Sequence, residues 1–353
     1  MVSVKLKDIN KKFSNTVVLN NMNLNVEDKE FFILLGASGS GKSTTLNIIA
    51  GLERATSGDI LFDDKIVNSM SPVQRGIAMV FQDYALYPHL TVRNNIAFPL
   101  KMRKYTKDVI DEKVEEVAKT LGLEEYLNRY PRELSGGQAQ RVSLGRALVR
   151  DPGVFLLDEP LSNLDAKIRN QIRVELKLIQ QNLGKTFIYV THDQQEAMSL
   201  GDHIAILRNG KLEQVGAPME VYKNPRNEYV AAFLGEPVIN FFEMVKDSGV
   251  YVSDDLIIKG INAEEKEINI GIRPESMKLK REKENDIELK IRPQTIESFG
   301  SYSVIIGKSK SNKEVRVRLS EDFDLNSKSE MALYISISDL YIFGKNGNRI
   351  DKN

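Results

Sequence analysis

The chain has 353 residues, with 49 Lys+Arg balanced by 49 Asp+Glu, and is 41% hydrophobic and 28% charged. That length suggests two domains, the composition is that of a globular protein, and zero net charge argues against coating nucleic acid, which selects a basic excess. Cysteine is absent, which excludes disulfides and thiolate metal sites and fits the cytosol.

The first residues alternate (Val2, Val4, Leu6) as a strand does and do not read as a secretory signal. Met22, Leu24 and Val26 alternate too, and Phe31 to Leu35 is a continuous apolar run expected to be a buried strand. Such runs fall far below the ~18 residues of a spanning helix, so the chain is expected not to cross a membrane, though it can lie against one crossed by another subunit. An apolar helix is predicted over Thr44 to Leu52, then strands at Ile60 to Phe62 and Ile77 to Gln82. A turn-rich aromatic segment follows, Tyr84 to His89. Residues 91–150 read as mainly helical, with Val109, Ile110, Val114, Val117, Ala118 and Leu121 at helical spacing and Gly122 as a stop. Val154 to Leu157 and Thr186 to Val190 are further buried strands; a helix at Gln194 to Leu200, a strand at His203 to Leu207 and a helix over Tyr222 to Phe233 complete this part. Gly235-Glu236-Pro237 reads as a boundary, beyond which short alternating strands (Ile287/Leu289/Ile291, Val315/Val317/Leu319, Leu333/Ile335/Ile337) signal a small β-barrel. The domains expected are therefore 1–235, with a helical subdomain at about 84–150, and 236–353.

The chemistry lies at strand ends. Gly36-Ala37-Ser38-Gly39-Ser40-Gly41-Lys42-Ser43 matches the phosphate-loop pattern and has the required strand before and helix after. Its glycines let backbone wrap phosphates, Lys42 reaches the β- and γ-phosphates, Ser43 ligands Mg²⁺ and Thr44 adds a phosphate contact. The strand Val154 to Leu157 ends in Asp158 and Glu159, placed where α/β sheets hold ligands; Asp158 suits Mg²⁺ and Glu159 the polarisation of water. Leu134-Ser135-Gly136-Gly137-Gln138 opens a helix whose Val142, Leu144, Ala147 and Leu148 share a face, and its small residues and free N–H groups suit a phosphate. Gln82 is either a solvated strand cap or a contact to Mg²⁺ and the attacking water. His192 is either structural or a donor to a γ-phosphate. Phe13 either stacks on a purine or packs in the core. Tyr84 to His89 is either a docking patch or local core, and Asp165 a helix N-cap, a contact, or both.

Together these residues resemble the nucleotide-binding subunit of ATP-binding-cassette transporters, and the resemblance spans the chain. Leu134 to Gln138 is similar to the cassette signature and lies in the expected order between the Gln82 and Asp158 strands. Phe81 to Val92, Pro160 to Lys167, Val238 to Phe242 and Gly271-Ile272-Arg273-Pro274-Glu275 are similar to segments of the carbohydrate importers of the maltose/trehalose type. Two positions depart from the family: Phe13 stands where Tyr or Trp is common, which weakens stacking, and Ala139 where a long polar residue is common.

The resemblance implies an α/β fold, a P-loop NTPase cassette with a RecA-like core and a helical subdomain, followed by a small all-β, OB-fold-like regulatory domain of the TOBE type. It implies a head-to-tail dimer, with itself or a paralogous ATPase, that sandwiches two ATP. Lys42, Ser43, Gln82 and Asp158 of one subunit then grip each nucleotide with Ser135, Gly137 and Gln138 of the other, while Glu159 activates water and His192 senses the γ-phosphate. It further implies two membrane permease subunits docking near Tyr84 to His89 at the cytoplasmic face, indirect service to an extracellular solute-binding protein, and sugar as cargo. Polyamine, glycerol phosphate or an anion are the rival cargoes. A soluble cassette protein of translation or DNA repair is the rival class, disfavoured by the single cassette and the lack of heptads. A β-tail that captures a regulator is a third reading.

Overall fold

In the computed structural model, which describes residues 2–320 and 330–350, the chain begins with strands β1 (Val4–Phe13) and β2 (Thr16–Val26), paired antiparallel. Val4, Leu6 and Ile9 of β1 point into the core; the alternation slips at Asp8, whose left-handed φ of 50° marks a bulge. β3 (Phe31–Gly36) is buried at every position and leads through the phosphate loop into α1 (Lys42–Ala50). That helix starts two residues earlier than expected. Gly41 sits at φ 103°, and a Cβ there would stand 2.7 Å from Leu19 Cδ2, so only glycine lets the loop turn against β2. β4 (Ser57–Phe62) and β5 (Lys65–Ile66) complete a four-stranded antiparallel sheet in the order β2-β1-β4-β5.

β6 (Ile77–Val80) ends two residues short of the expected Gln82. It is an edge strand, its ladder with the next strand stops at Val80, and Phe81 is already 41% exposed. The helical segment consists of α2 (Val92–Met102), capped by Thr91, α3 (Lys107–Leu121), closed by left-handed Gly122, and α4 (Gly136–Leu148). β7 (Val154–Asp158), α5 (Ala166–Leu183), β8 (Thr186–Thr191), α6 (Gln194–Leu200), β9 (His203–Arg208) and β10 (Lys211–Gly216) follow. The second sheet has the order β10-β9-β3-β8-β7-β6; β9, β3, β8, β7 and β6 run parallel, and β10 is antiparallel to β9. Parallel pairing puts the carboxyl ends of β3, β8, β7 and β6 on one edge, and that edge carries every phosphate-handling candidate before residue 193 except Phe13 and Ser135 to Gln138.

Two compact units result, Met1–Met219 and Glu220–Asn353. The helix expected over Tyr222 to Phe233 is two helices, α7 (Pro218–Lys223) and α8 (Glu228–Phe233), because Pro225 interrupts the ladder. α8 belongs to the second unit: Arg273, 3% exposed, donates to the carbonyls of Tyr222, Ala231 and Leu234. The compact units thus divide before the Gly235-Glu236-Pro237 signal. The rest of that unit is all β: β11 (Asn240–Asp247), β12 (Val250–Val252), β13 (Ile257–Ile258), β14 (Glu267–Ile272), β15 (Ile287–Ser298), β16 (Ser303–Ser309), β17 (Glu314–Leu319), β18 (Met331–Ile335) and β19 (Leu340–Gly344). Among the described residues they form two antiparallel sheets, β13-β12-β11-β14-β19 and β17-β16-β15-β18, closing over one core in which Met244 and Ile270 meet Leu289 and Val317.

Candidate functional site

The phosphate loop is built for an anion. Gly39 and Gly41 hold left-handed φ of 78° and 103°, which no side chain adopts cheaply, and the loop ends at the α1 N-terminus, where backbone N–H groups lack intrahelical partners. Lys42 is 5% exposed and its Nζ donates to the carbonyls of Gly36 (2.9 Å) and Ala37 (3.0 Å). Burial lowers its pKa, against the opposing pull of Glu159 and Asp158. The Ser40 hydroxyl is buried with no hydrogen-bond partner among the described residues, an orphan donor inside the loop. Ser38 is exposed, and Thr44, in the first turn of α1, is half-buried.

The acidic pair lies along the same edge. Asp158 ends β7 and its Oδ1 accepts from the Ser43 hydroxyl at 2.9 Å, so the two expected metal oxygens already touch. Burial raises the Asp158 pKa, and the Ser43 bond works against that rise. Glu159 turns into a left-handed φ of 43°, unusual for a residue with a side chain, and its Oε2 lies 3.0 Å from His192 Nδ1. The strand order decides this meeting: β8, which ends just before His192, lies between β3 and β7. Gln82 lies past the end of β6, exposed, with its carbonyl accepting from Asn163 Nδ2 at 3.1 Å.

Phe13 closes β1, is 44% exposed, and has Lys11 Nζ 4.4 Å from its ring centre. Core packing is thereby excluded for it. Ser135 caps α4: its hydroxyl accepts from the Gln138 N–H (3.3 Å) while Gln138 Oε1 accepts from the Ser135 N–H (2.9 Å), a capping box. A Cβ on Gly136 would stand 2.8 Å from Leu164 Cδ2 and one on Gly137 3.0 Å from Ile168 Cγ2, so these glycines seat the helix start on the loop after Glu159 and the first turn of α5. Val142, Leu144 and Ala147 are buried and Leu148 half-buried, but Val142 and Leu144, two positions apart, lie on opposite sides, so α4 is buried nearly all round instead of along the one expected face.

The aromatic segment is half-buried, between the two alternatives. Tyr84 and Ala85 both hold left-handed φ (61° and 47°), fixed from α4 by Ser143 Oγ donating to Tyr84 O at 2.8 Å and by the Arg146 guanidinium on the carbonyls of Tyr84 and Ala85. The Tyr87 ring lies 4.5 Å from that of Phe98, tilted by 42°, while Pro88 and His89 are exposed. Asp165 is an N-cap, accepting from the Ile168 N–H at 3.0 Å.

Behind the site lies a network that spacing in the sequence does not reveal. Glu196, 3% exposed, accepts from Thr191 Oγ1 (2.5 Å) and Tyr189 OH (2.9 Å), and burial raises its pKa against those bonds. Asp193 caps α6, accepting from the N–H groups of Gln195 (2.7 Å) and Glu196 (3.2 Å). Only the acidic residues following His192 hinted at it.

Comparison with known proteins gives the family. Residues 19–162 match the family described as ABC transporter. The chain is 43% identical over 353 residues to the sn-glycerol-3-phosphate import ATP-binding protein of Ruegeria pomeroyi, covering 99% of each. It is 52% identical over 294 residues to the trehalose/maltose import ATP-binding protein of Thermococcus litoralis, covering 78% of this chain and 79% of that one. Among solved structures, cbiO1 of Clostridium perfringens, part of the cbiONQ ABC transporter complex, aligns with TM-score 0.59 at 31% identity over 63% of this chain and 90% of its own. The ATP-binding cassette MJ0796, solved as a dimer after hydrolysis with ADP and phosphate, aligns with TM-score 0.54 at 36% identity over 61% and 98%.

Proposed function

From the premise that this chain belongs to the ABC transporter family, as an ATPase subunit of the import type, we propose that it couples MgATP hydrolysis in a head-to-tail dimer to carbohydrate uptake through membrane permeases. The observation that carries the reading is the meeting of two pairs, Ser43 with Asp158 and Glu159 with His192, at the ends of neighbouring parallel strands beside the phosphate loop. In that arrangement Lys42 and the N–H groups of residues 36–44 hold the phosphates, and Ser40 supplies a further donor. The Ser43 and Asp158 oxygens, with Gln82, would hold Mg²⁺. Bound there, the ion would supply neutralisation of phosphate charge. Glu159 takes the proton of the attacking water, His192 steadies Glu159 and the γ-phosphate, and Phe13 stacks on the adenine. Ser135 to Gln138 offer a helix N-terminus to the γ-phosphate held by the second copy, a homologous or identical subunit.

No helix among the described residues is long and apolar enough to cross a membrane. We place the protein at the cytoplasmic face, held there by two permease subunits on the Tyr84 to His89 segment, with a solute-binding protein outside. We assign the cassette to residues 1–219, its helical subdomain to about 84–150, and a regulatory role to residues 220–353, a boundary earlier than the one expected at 235. Trehalose or maltose is the proposed cargo; glycerol 3-phosphate is the second reading, because that relative matches the whole chain. Labelled trehalose, maltose and glycerol 3-phosphate are offered to a strain lacking the protein and to the strain restored with the parent or Lys42→Ala. Uptake of one of them restored by the parent alone supports the reading; uptake indifferent to the protein for all three sinks it.

A further inference from the structure

We propose that Arg169 is a positioning residue for hydrolysis, one that locks the loop Leu161 to Asp165 to the loop carrying His192. The inference rests on the reading of Glu159 and His192 given above. Arg169 stands in the first turn of α5, and its guanidinium reaches in two directions. Nη2 donates to Leu164 O at 2.9 Å, and Nη1 lies 3.5 Å from Asp193 Oδ2. Asp193 is itself tied down. Its N–H donates to Thr191 Oγ1 at 3.0 Å, and Thr191 in turn donates to the buried Glu196, so the end of β8 is fixed on both sides of His192.

Both loops border one small, partly open recess of ≈ 60 Å³, lined by Glu159, Ser162, Arg169, Thr191, His192, Asp193 and Glu196. That recess has room for water. The link also extends outward. Leu164 is the residue on which Gly136 sits, and Ile168, one position before Arg169, is the residue on which Gly137 sits. A shift of the α4 N-terminus therefore presses on Leu164, and Arg169 carries the displacement to Asp193 and His192 through a fork with fixed geometry. Binding of phosphate by residues 36–44 does not pass through this link, so its loss changes turnover and leaves nucleotide affinity intact.

The test is steady-state ATP hydrolysis by the full chain with saturating Mg²⁺, comparing the parent, Arg169→Met, Asp193→Asn, the double variant and Glu159→Gln. Asn at 193 keeps an oxygen to cap α6 but removes the charge that meets Arg169. Arg169→Met is expected to lower kcat about tenfold, the scale of a misplacement well under 1 Å, with KM for ATP within about twofold. Asp193→Asn should fall by a similar factor, and the double variant no further than Arg169→Met alone. Should Arg169→Met fail to fold, Asp193→Asn reads the same link from its other end, and Arg169→Lys, which keeps charge without the fork, must recover less than half of the lost kcat. Unchanged kcat, an effect confined to KM, or independent losses that multiply in the double variant would each overturn the proposal. Those outcomes leave the site reading standing if Glu159→Gln abolishes turnover, and it is that variant's full activity that would remove the reading itself.

Discussion

Replacing Glu159 by Gln separates chemistry from binding. The amide keeps the size of the carboxylate and an oxygen that can accept from His192, 3.0 Å away, and it asks nothing new of the left-handed backbone. What disappears is the basic oxygen. Loss of a general base costs roughly 10²- to 10⁴-fold, which at 1.36 kcal/mol per factor of ten raises the barrier by about 2.7–5.5 kcal/mol. Binding follows a different set of atoms. Ser43 and Asp158 still touch, Lys42 still lies on the loop carbonyls, and a negative charge beside the phosphates is gone. MgATP should therefore bind at least as tightly as in the parent. Phosphate release in a single turnover, beside nucleotide retention on a filter, measures both. Turnover within about threefold of the parent would show that the base lies elsewhere. Retention weakened more than about tenfold would make Glu159 a binding group.

Phe13→Ala should weaken ATP binding by about 0.5–1.5 kcal/mol by calorimetry and leave the thermal midpoint unchanged, since the ring is 44% exposed; a fall in the midpoint alone would count against stacking. Arg75, 7% exposed, donates to the carbonyls of Ile48 and Ile49 at 2.7 Å each, closing the end of the helix whose start is the phosphate loop. Arg75→Met leaves the Ile49 carbonyl bare, while Ile48 O keeps the Gly51 N–H at 3.1 Å, and should cost about 1–3 kcal/mol in urea unfolding; no measurable loss would mean that water replaces it. Glu196 has its folded pKa raised by burial, so between its unfolded and folded values the native state holds the extra proton and stability rises as pH falls. The stability of Glu196→Gln relative to the parent should accordingly increase from acid toward neutral pH, and a difference constant with pH would refute the buried carboxyl. A chain ending at Gly235 should still hydrolyse ATP, but its residues 220–234 should exchange amide hydrogens quickly, because Arg273 no longer holds the carbonyls of Tyr222, Ala231 and Leu234; slow exchange there would assign those helices to the cassette.

The sequence by itself determined the local chemistry of this protein. A phosphate loop needs glycines at left-handed positions and a Lys-Ser pair where a helix begins, and both constraints act over eight residues. A buried strand ending in Asp158-Glu159 is just as local, because apolar continuity and an abrupt charge are adjacent in the chain. Helix starts at Ser135 and Asp165 were legible for the same reason. Tertiary structure decided which of these ends meet. Glu159 and His192 are 33 residues apart, and only the order β3-β8-β7 brings them within 3.0 Å. Pairing also truncated β6 at Val80, since an edge strand extends only as far as its one neighbour supports it. The exposure of Phe13 depended on where β1 ended against β2, and the grip of Ser143 and Arg146 on two left-handed residues crosses about 60 positions of chain. The Arg169 link was beyond sequence reasoning because a guanidinium between two loops has no period and no motif. Its partners are a backbone carbonyl and a carboxylate, and neither acquires meaning until the parallel sheet sets their positions.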